Sequence, residues 1–230
     1  MTNPVYGVDF VAAGISVTGP LGGAFENVSL TIDAGDLGIV VGQSGSGRTS
    51  LLLALAGRMR LTTGRLAVAG HVLPKGAGRV RELVAVARAN PATYLDPDLR
   101  VRELIDERKM IGGPLFTNAS LRDELDNLGV LAAEHQFVHQ LSPADALLFA
   151  VALSCAEQPS AIVVDDVAVG CTPDEVARVW RALATLTARG LTVVASTTAP
   201  PSDILVDAPI TAIELPHPEL RNPLTTGGTR

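Results

Sequence analysis

The chain is short of positive charge. Its 18 lysines and arginines face 24 aspartates and glutamates, for a formal net charge of −6. A protein that grips nucleic acid clusters basic side chains against backbone phosphates. No such footprint is present, so no nucleic-acid partner is expected. Cysteine is scarce as well. Cys155 and Cys171 have no metal-ligand spacing and read as two free thiols in a reducing compartment. No run of about 18 uninterrupted apolar residues occurs, because Asp, Gly or Pro breaks the longest ones, and so no bilayer span is expected. Residues 1–14 lack a basic flank ahead of an apolar run, so no secretory signal is expected there. Nor does any segment combine low hydrophobicity with high charge, the composition of disorder.

What is present is core material. Hydrophobic residues make up 47% of the 230 positions and charged ones 18%, enough for one large domain or a two-lobed one. Residues 5–17 and 25–33 read as strands around a Gly-rich turn at 19–23. Residues 37–41 form a short buried strand that Gly42 ends, and a helix follows from Arg48 to about Ala56. Residues 65–73 read as a hairpin and 83–87 as a strand. From about 90 to 140, Pro91, Pro97, Gly112, Gly113 and Pro114 punctuate short helical segments, one of them opened by Ser120. A helix from Ser142 to about Ala156 leads to a buried strand at 161–164. A second helix, capped by Thr172, runs to about Arg189, and strands at 191–196 and 210–213 follow. The fold class this predicts is α/β: a mainly parallel sheet with helices on both faces, an N-terminal antiparallel portion and an inserted helical lobe over about 90–157. Residues 1–216 are expected to form one nucleotide-binding domain, and 217–230 a frayed polar tail.

The strongest motif is Gly42-Gln43-Ser44-Gly45-Ser46-Gly47-Arg48-Thr49-Ser50. It matches the phosphate loop G-x-x-x-x-G-K-[ST] at every defined position except one, where Arg48 replaces lysine. A buried strand precedes it and a helix follows, as such a loop requires. The glycines let successive N–H groups turn inward on phosphate oxygens, and the helix N-terminus adds partial positive charge. Thr49 would offer its hydroxyl to Mg²⁺. Arg48 is a permanent cation that grips phosphate in a fork, but it is longer and planar. Ground-state binding of ATP should survive better than transition-state stabilisation, which depends on placement. A second acidic element closes the site: Asp165 and Asp166 end the strand at 161–164. Asp165 is the candidate for orienting Mg²⁺, and Asp166 stands where a water-activating carboxylate would be.

The order of these motifs resembles the ABC (ATP-binding cassette) nucleotide-binding domain, and the resemblance extends from residue 5 to about 215. The loop from Gly45 to Gly57 resembles a divergent actinobacterial branch that carries Arg in place of the lysine. The resemblance implies ATP and Mg²⁺ as ligands and a second cassette as head-to-tail partner. It also implies an integral membrane transporter subunit, hence a cytoplasmic site at the inner face of the plasma membrane. In that family a Leu-Ser-Gly-Gly-Gln signature opens the helix before the acidic strand; here Leu141-Ser142-Pro143-Ala144-Asp145 stands there, with Ser142 as the residue that would face the partner. Pro143 and Ala144 carry a Cβ where glycine is usual, and Asp145 would bring negative charge towards the partner's phosphate. The same sequence reads as an ordinary helix start, with Ser as N-cap and Pro at the first position. Other positions also depart from the family pattern. Asp166 replaces its catalytic Glu, Thr198 its switch His and Ala89 its loop Gln. Its stacking aromatic would fall near Thr18-Gly19, and Thr172 takes the place of its loop Asp. Three functions are therefore weighed: a slow transport ATPase, a non-hydrolysing cassette that binds ATP structurally, and a P-loop kinase for a small molecule. The last lacks a basic lid.

Overall fold

Alternation along three short strands determines how the layers stack. In β3 (Leu37–Val41), Leu37 and Ile39 face one apolar cluster and Val40 the other. In β7 (Ala161–Val164), Ile162 and Val164 face the first cluster, Ala161 and Val163 the second. In β8 (Thr192–Thr197), Val193 and Ala195 divide from Val194 in the same way. Successive strand residues point to opposite faces, so a strand that is apolar at every position must be covered twice. The computed structural model describes residues 7–19, 22–201 and 210–216. It places these strands in a five-stranded sheet of order β6-β7-β8-β3-β9, with β6 Val84–Arg88 and β9 Ile210–Glu214 at its edges. Every pairing in it is parallel.

The second face is closed by an antiparallel sheet of order β2-β1-β4-β5, built from β1 (Phe10–Gly19), β2 (Gly22–Ile32), β4 (Thr63–Val68) and β5 (His71–Val72). Helix α1 (Arg48–Leu55) lies between the two sheets and buries Leu51, Leu52, Ala54 and Leu55 with Phe10, Phe25 and Val163. On the first face lie α5 (Pro143–Cys155), against β6 and β7, and α6 (Pro173–Ala188), against β8 and β3. Nearly every side chain of α5 is buried, which marks it as a central helix rather than a covering one. Helices α3 (Val101–Ile111) and α4 (Asn118–Asn127) complete this side. Their Val101, Leu104 and Leu121 belong to the same apolar cluster as Ile162 and Val193. The α/β class, the parallel sheet with helices on both faces, the antiparallel portion and the helical stretch after β6 all match the sequence reading.

Three local expectations need correction or limit. Helix α2 (Ala77–Leu83) lies in a stretch, between the hairpin and the strand at 83–87, to which no element was assigned; the burial of Val80 against Gly57 holds it in place. Helix α4 is opened by Thr117, not Ser120. The Thr117 hydroxyl accepts the Ser120 N–H at 3.0 Å, and the Ser120 hydroxyl accepts the Thr117 N–H at 2.9 Å. Ser120 is therefore the third residue of a reciprocal capping box. The predicted tail at 217–230 and the centre of the 19–23 turn lie outside the described residues.

One polar tie joins α4 to the end of α6. Arg189 donates Nη1 to Glu124 Oε2 at 2.8 Å and Nη2 to Oε1 at 2.5 Å, and Glu124 is buried. Removing one partner leaves a charge with little water to solvate it. Arg189→Ala should lower unfolding stability by about 2 kcal/mol in a urea titration. The double change Glu124→Leu with Arg189→Leu should cost less than the single one, because it leaves no buried charge without a partner.

Candidate functional site

The carboxyl ends of β3, β8 and β7 lie side by side, at the edge where an open parallel sheet usually holds its ligand. The loop after β3 is tied down at its start, where the Gly42 N–H donates to the Thr197 carbonyl at 3.2 Å, and turns through Ser46 N–H to Gln43 carbonyl at 3.0 Å. Gly47 has φ +92° and lies so close to β2 that a Cβ there would overlap the Ala24 carbonyl. Gln43, Ser44 and Gly45 remain open to solvent, while Ser46 is buried beneath them. The first α1 hydrogen bond runs from Leu51 N–H to the Gly47 carbonyl at 2.9 Å. The amides of Arg48, Thr49 and Ser50 therefore have no acceptor within the helix and give its end partial positive charge.

The Arg48 side chain is already engaged within the chain. It is buried at 7% exposure, with Nη1 donating to the Gly42 carbonyl at 2.5 Å and Nη2 to Asp166 Oδ1 at 2.5 Å. The neighbouring Thr49 hydroxyl donates to Asp165 Oδ2 at 2.5 Å. The structure thus brings Gly42, Arg48, Thr49, Asp165 and Asp166 into one hydrogen-bonded set.

Two members of the set escaped the sequence reading. Ser196, at the end of β8, donates its hydroxyl to Asp165 Oδ1 at 2.5 Å and accepts the Asp166 N–H at 2.8 Å. Strand register places it there: Val164 pairs with Ala195, so the next residue on each strand stands level. Arg88, at the end of β6, donates Nε to the Asp165 carbonyl at 2.9 Å and Nη2 to the Asp166 carbonyl. An irregular register between Val86 and Arg88 brings it level with Val164. The expected loop-glutamine position, Ala89, is instead buried, and its backbone pairs with Thr93. Thr198 is exposed just beyond β8.

Electrostatics at the strand ends balance two acids against two guanidiniums. Burial, then the Asp165 charge, pushes the Asp166 carboxyl above the usual carboxylate range, against the pull of Arg48 and Arg88. Burial pulls Arg88 below the ordinary arginine value, and the two aspartates only partly offset it. Asp166 holds φ +50°, a left-handed backbone uncommon outside glycine, asparagine and aspartate.

Ser142 lies outside this set and caps its own helix. Its hydroxyl accepts the Asp145 N–H at 3.1 Å and donates to Asp145 Oδ2 at 2.8 Å. Asp145 Oδ1 accepts Arg178 Nη2 at 2.6 Å and the Leu131 N–H at 3.2 Å, so its charge is neutralised within the chain. Thr172 caps α6 as read, with its N–H donating to Glu175 Oε2 at 2.9 Å. The Glu175 carboxyl is held below its usual range, first by the Thr172 backbone, with further help from the Ser142 hydroxyl and the Ala144 N–H. Among the described residues no group of three His, Cys, Asp or Glu could hold a metal unaided.

Residues 25–169 match the ABC transporter family. Two archaeal proteins named as ABC transporter ATP-binding proteins are among the relatives. The one from Methanothermobacter thermautotrophicus is 26% identical over 76% of this chain and 64% of its own length. The one from Methanosarcina acetivorans is 31% identical over 74% of this chain and 33% of its own. The chain therefore spans one third to somewhat under two thirds of these relatives. Among solved structures, cbiO1 of Clostridium perfringens, part of the ABC transporter complex cbiONQ, superposes with a TM-score of 0.70 at 18% identity. That superposition covers 85% of this chain and 80% of cbiO1. The dimeric cassette MJ0796 gives 0.70 at 17% identity over 89% and 94%. At these identities the structural likeness speaks for the fold.

The glycine constraint is directly testable. Gly47→Ala should cost more than about 2 kcal/mol in urea unfolding, from left-handed strain plus the Ala24 overlap. Gly78→Ala, in α2 where a Cβ meets nothing within 4 Å, should instead stabilise by about 0.5–1 kcal/mol.

Proposed function

Because the chain belongs to the ABC transporter family, we propose that it is the ATP-binding subunit of a transporter-like complex, holding Mg-ATP on the loop Gly42–Ser50 and turning it over slowly. The observation that carries this reading is the loop itself. Glycine backbone is packed against β2, three helix-terminal amides have no acceptor within the helix, and Thr49 and Asp165 stand within 2.5 Å of each other at its edge. Residues 1–216 act as one ATP-binding domain in this reading, with 217–230 as a tail. A second cassette and an integral membrane subunit are the partners, at the cytoplasmic face of the plasma membrane. Family membership supports those partners. Among the described residues no helix is long and apolar enough to cross a membrane, so a spanning part would come from another chain or segment.

The donor set fits magnesium. The ion accepts few protein ligands and prefers water and phosphate oxygens, and one hydroxyl with one carboxylate is what the site offers. Bound there, Mg²⁺ would neutralise and orient the terminal phosphates. Thr49 would contribute its hydroxyl, and Asp165, aligned by Ser196, would hold the metal's water. Asp166 is the candidate to polarise the attacking water, on a side chain one methylene shorter than glutamate. A second reading, a cassette that binds ATP without hydrolysing it, is favoured by one contact: the Asp166 carboxylate is already engaged by Arg48.

Mg-ATP should raise the melting temperature, by about 2.7 kcal/mol of added stability at one hundred times the Kd. Thr49→Ala should abolish the magnesium-dependent part of that shift. A phosphate-release assay divides the two readings. Slow release that Asp166→Asn abolishes supports turnover, whereas binding with no release in either protein supports the non-hydrolysing cassette. A chain that shows no thermal response to Mg-ATP would overturn both.

A further inference from the structure

We propose that Asp166 is an internal counter-anion of Arg48 that a nucleotide phosphate must displace, so that Asp166 sets nucleotide affinity by competing for the same guanidinium. This rests on the ATP-binding reading above and adds a control at the same site. The Arg48 side chain is 8% exposed, and a guanidinium so far from water requires a counter-charge. Asp165 does not supply it: its two oxygens accept Thr49 and Ser196, and the ion pair of Arg48 is with Asp166. Asp166 supplies it at 2.5 Å, from a side chain that is still 35% exposed on the solvent side.

The backbone aims that carboxylate. Ser196 accepts the Asp166 N–H, and Arg88 donates to the carbonyls of Asp165 and Asp166, so the main chain is held from β8 and β6 at once. None of these bonds uses the Asp166 carboxylate. They fix a left-handed residue, and the side chain's own acceptor then falls to Arg48. The charged groups facing Asp166 are Arg48 from α1, Arg88 from β6 and Asp165 beside it.

Arginine makes the competition possible. Its fork spans the Gly42 carbonyl on one arm and Asp166 on the other. A triphosphate seated on the loop amides presents its oxygens to the same cation. A carboxylate and a phosphate cannot both take the second arm without close like-charge contact. The carboxylate is the one that can leave, because it opens towards water while the backbone behind it stays anchored.

Equilibrium titration of Mg-ATP by calorimetry tests this on the full chain, with Asp166→Asn, Asp166→Gly, Arg48→Gln and the Arg48→Gln/Asp166→Asn double variant. Asn and Gly both tolerate φ near +50°, and melting without nucleotide checks that each variant folds. The expected result is a Kd lowered about three- to tenfold by either Asp166 change, and no gain when Asp166→Asn is added to Arg48→Gln. Equal or weaker binding by both Asp166 variants overturns the proposal. A gain that persists in the Arg48→Gln background also overturns it, because the effect is then general repulsion of phosphate. If the parent binds Mg-ATP and the Asp166 variants gain nothing, this inference alone fails. If no variant binds, the ATP-binding reading fails with it.

Discussion

The close approach of Gly47 to the Ala24 carbonyl is the constraint on which the rest of the site depends. It presses the start of α1 onto β2, so the antiparallel sheet and the parallel sheet grip the same turn from two sides. With that contact made, the direction of α1 is set, and with it the positions of Arg48 and Thr49 in its first turn. A Cβ at residue 47 would move both by the same displacement. Apolar packing reinforces the constraint, since Leu51, Leu52 and Leu55 have no exposure at all. The loop is therefore rigid where its backbone must be shaped and open at Gln43, Ser44 and Gly45, where a ligand would enter.

Beyond the loop, the site is a balance of fixed charges in a region with little water. Two aspartates end β7, and two arginines, one from α1 and one from β6, answer them. The two arginines differ in what they hold. Arg88 grips two carbonyl oxygens and so fixes backbone, whereas Arg48 holds one carbonyl, that of Gly42, and one carboxylate side chain that is partly exposed. On the proposed function, this division separates a permanent scaffold from a contact that gives way when phosphate arrives. The lysine-to-arginine change in the loop is then more than a weakened copy of the usual residue. Its longer, forked head joins the phosphate loop to the acidic strand end.

The helix that carries Ser142 behaves differently. Its first turn is furnished by a carboxylate of its own chain, Asp145, which is neutralised by Arg178. A helix start satisfied in this way has less to offer an outside anion than bare glycine amides would. If the chain pairs with a second cassette as proposed, the two ends of its nucleotide machinery are unequal: a well-formed phosphate loop and an internally capped signature helix.

Much of this was legible in the sequence because it is local. Strands β3, β7 and β8 showed as short apolar runs between turn residues. The phosphate loop showed as glycines at fixed spacing. The caps at Ser142 and Thr172 showed because a hydroxyl and the N–H three residues on are neighbours in any helix start. Helix α2 was missed because the only signal was one buried valine among glycines, and its reward lies in Gly57, over twenty positions earlier in the chain. The partnerships that define the site are of another kind. Arg48 and Asp166 are 118 positions apart, and Ser196 and Asp165 are 31. The sequence by itself determined the elements, the loop and the residue types at its edge. Which acid faces which cation was decided only when five parallel strands took their register, because a one-residue slip in any of them turns every side chain to the opposite face.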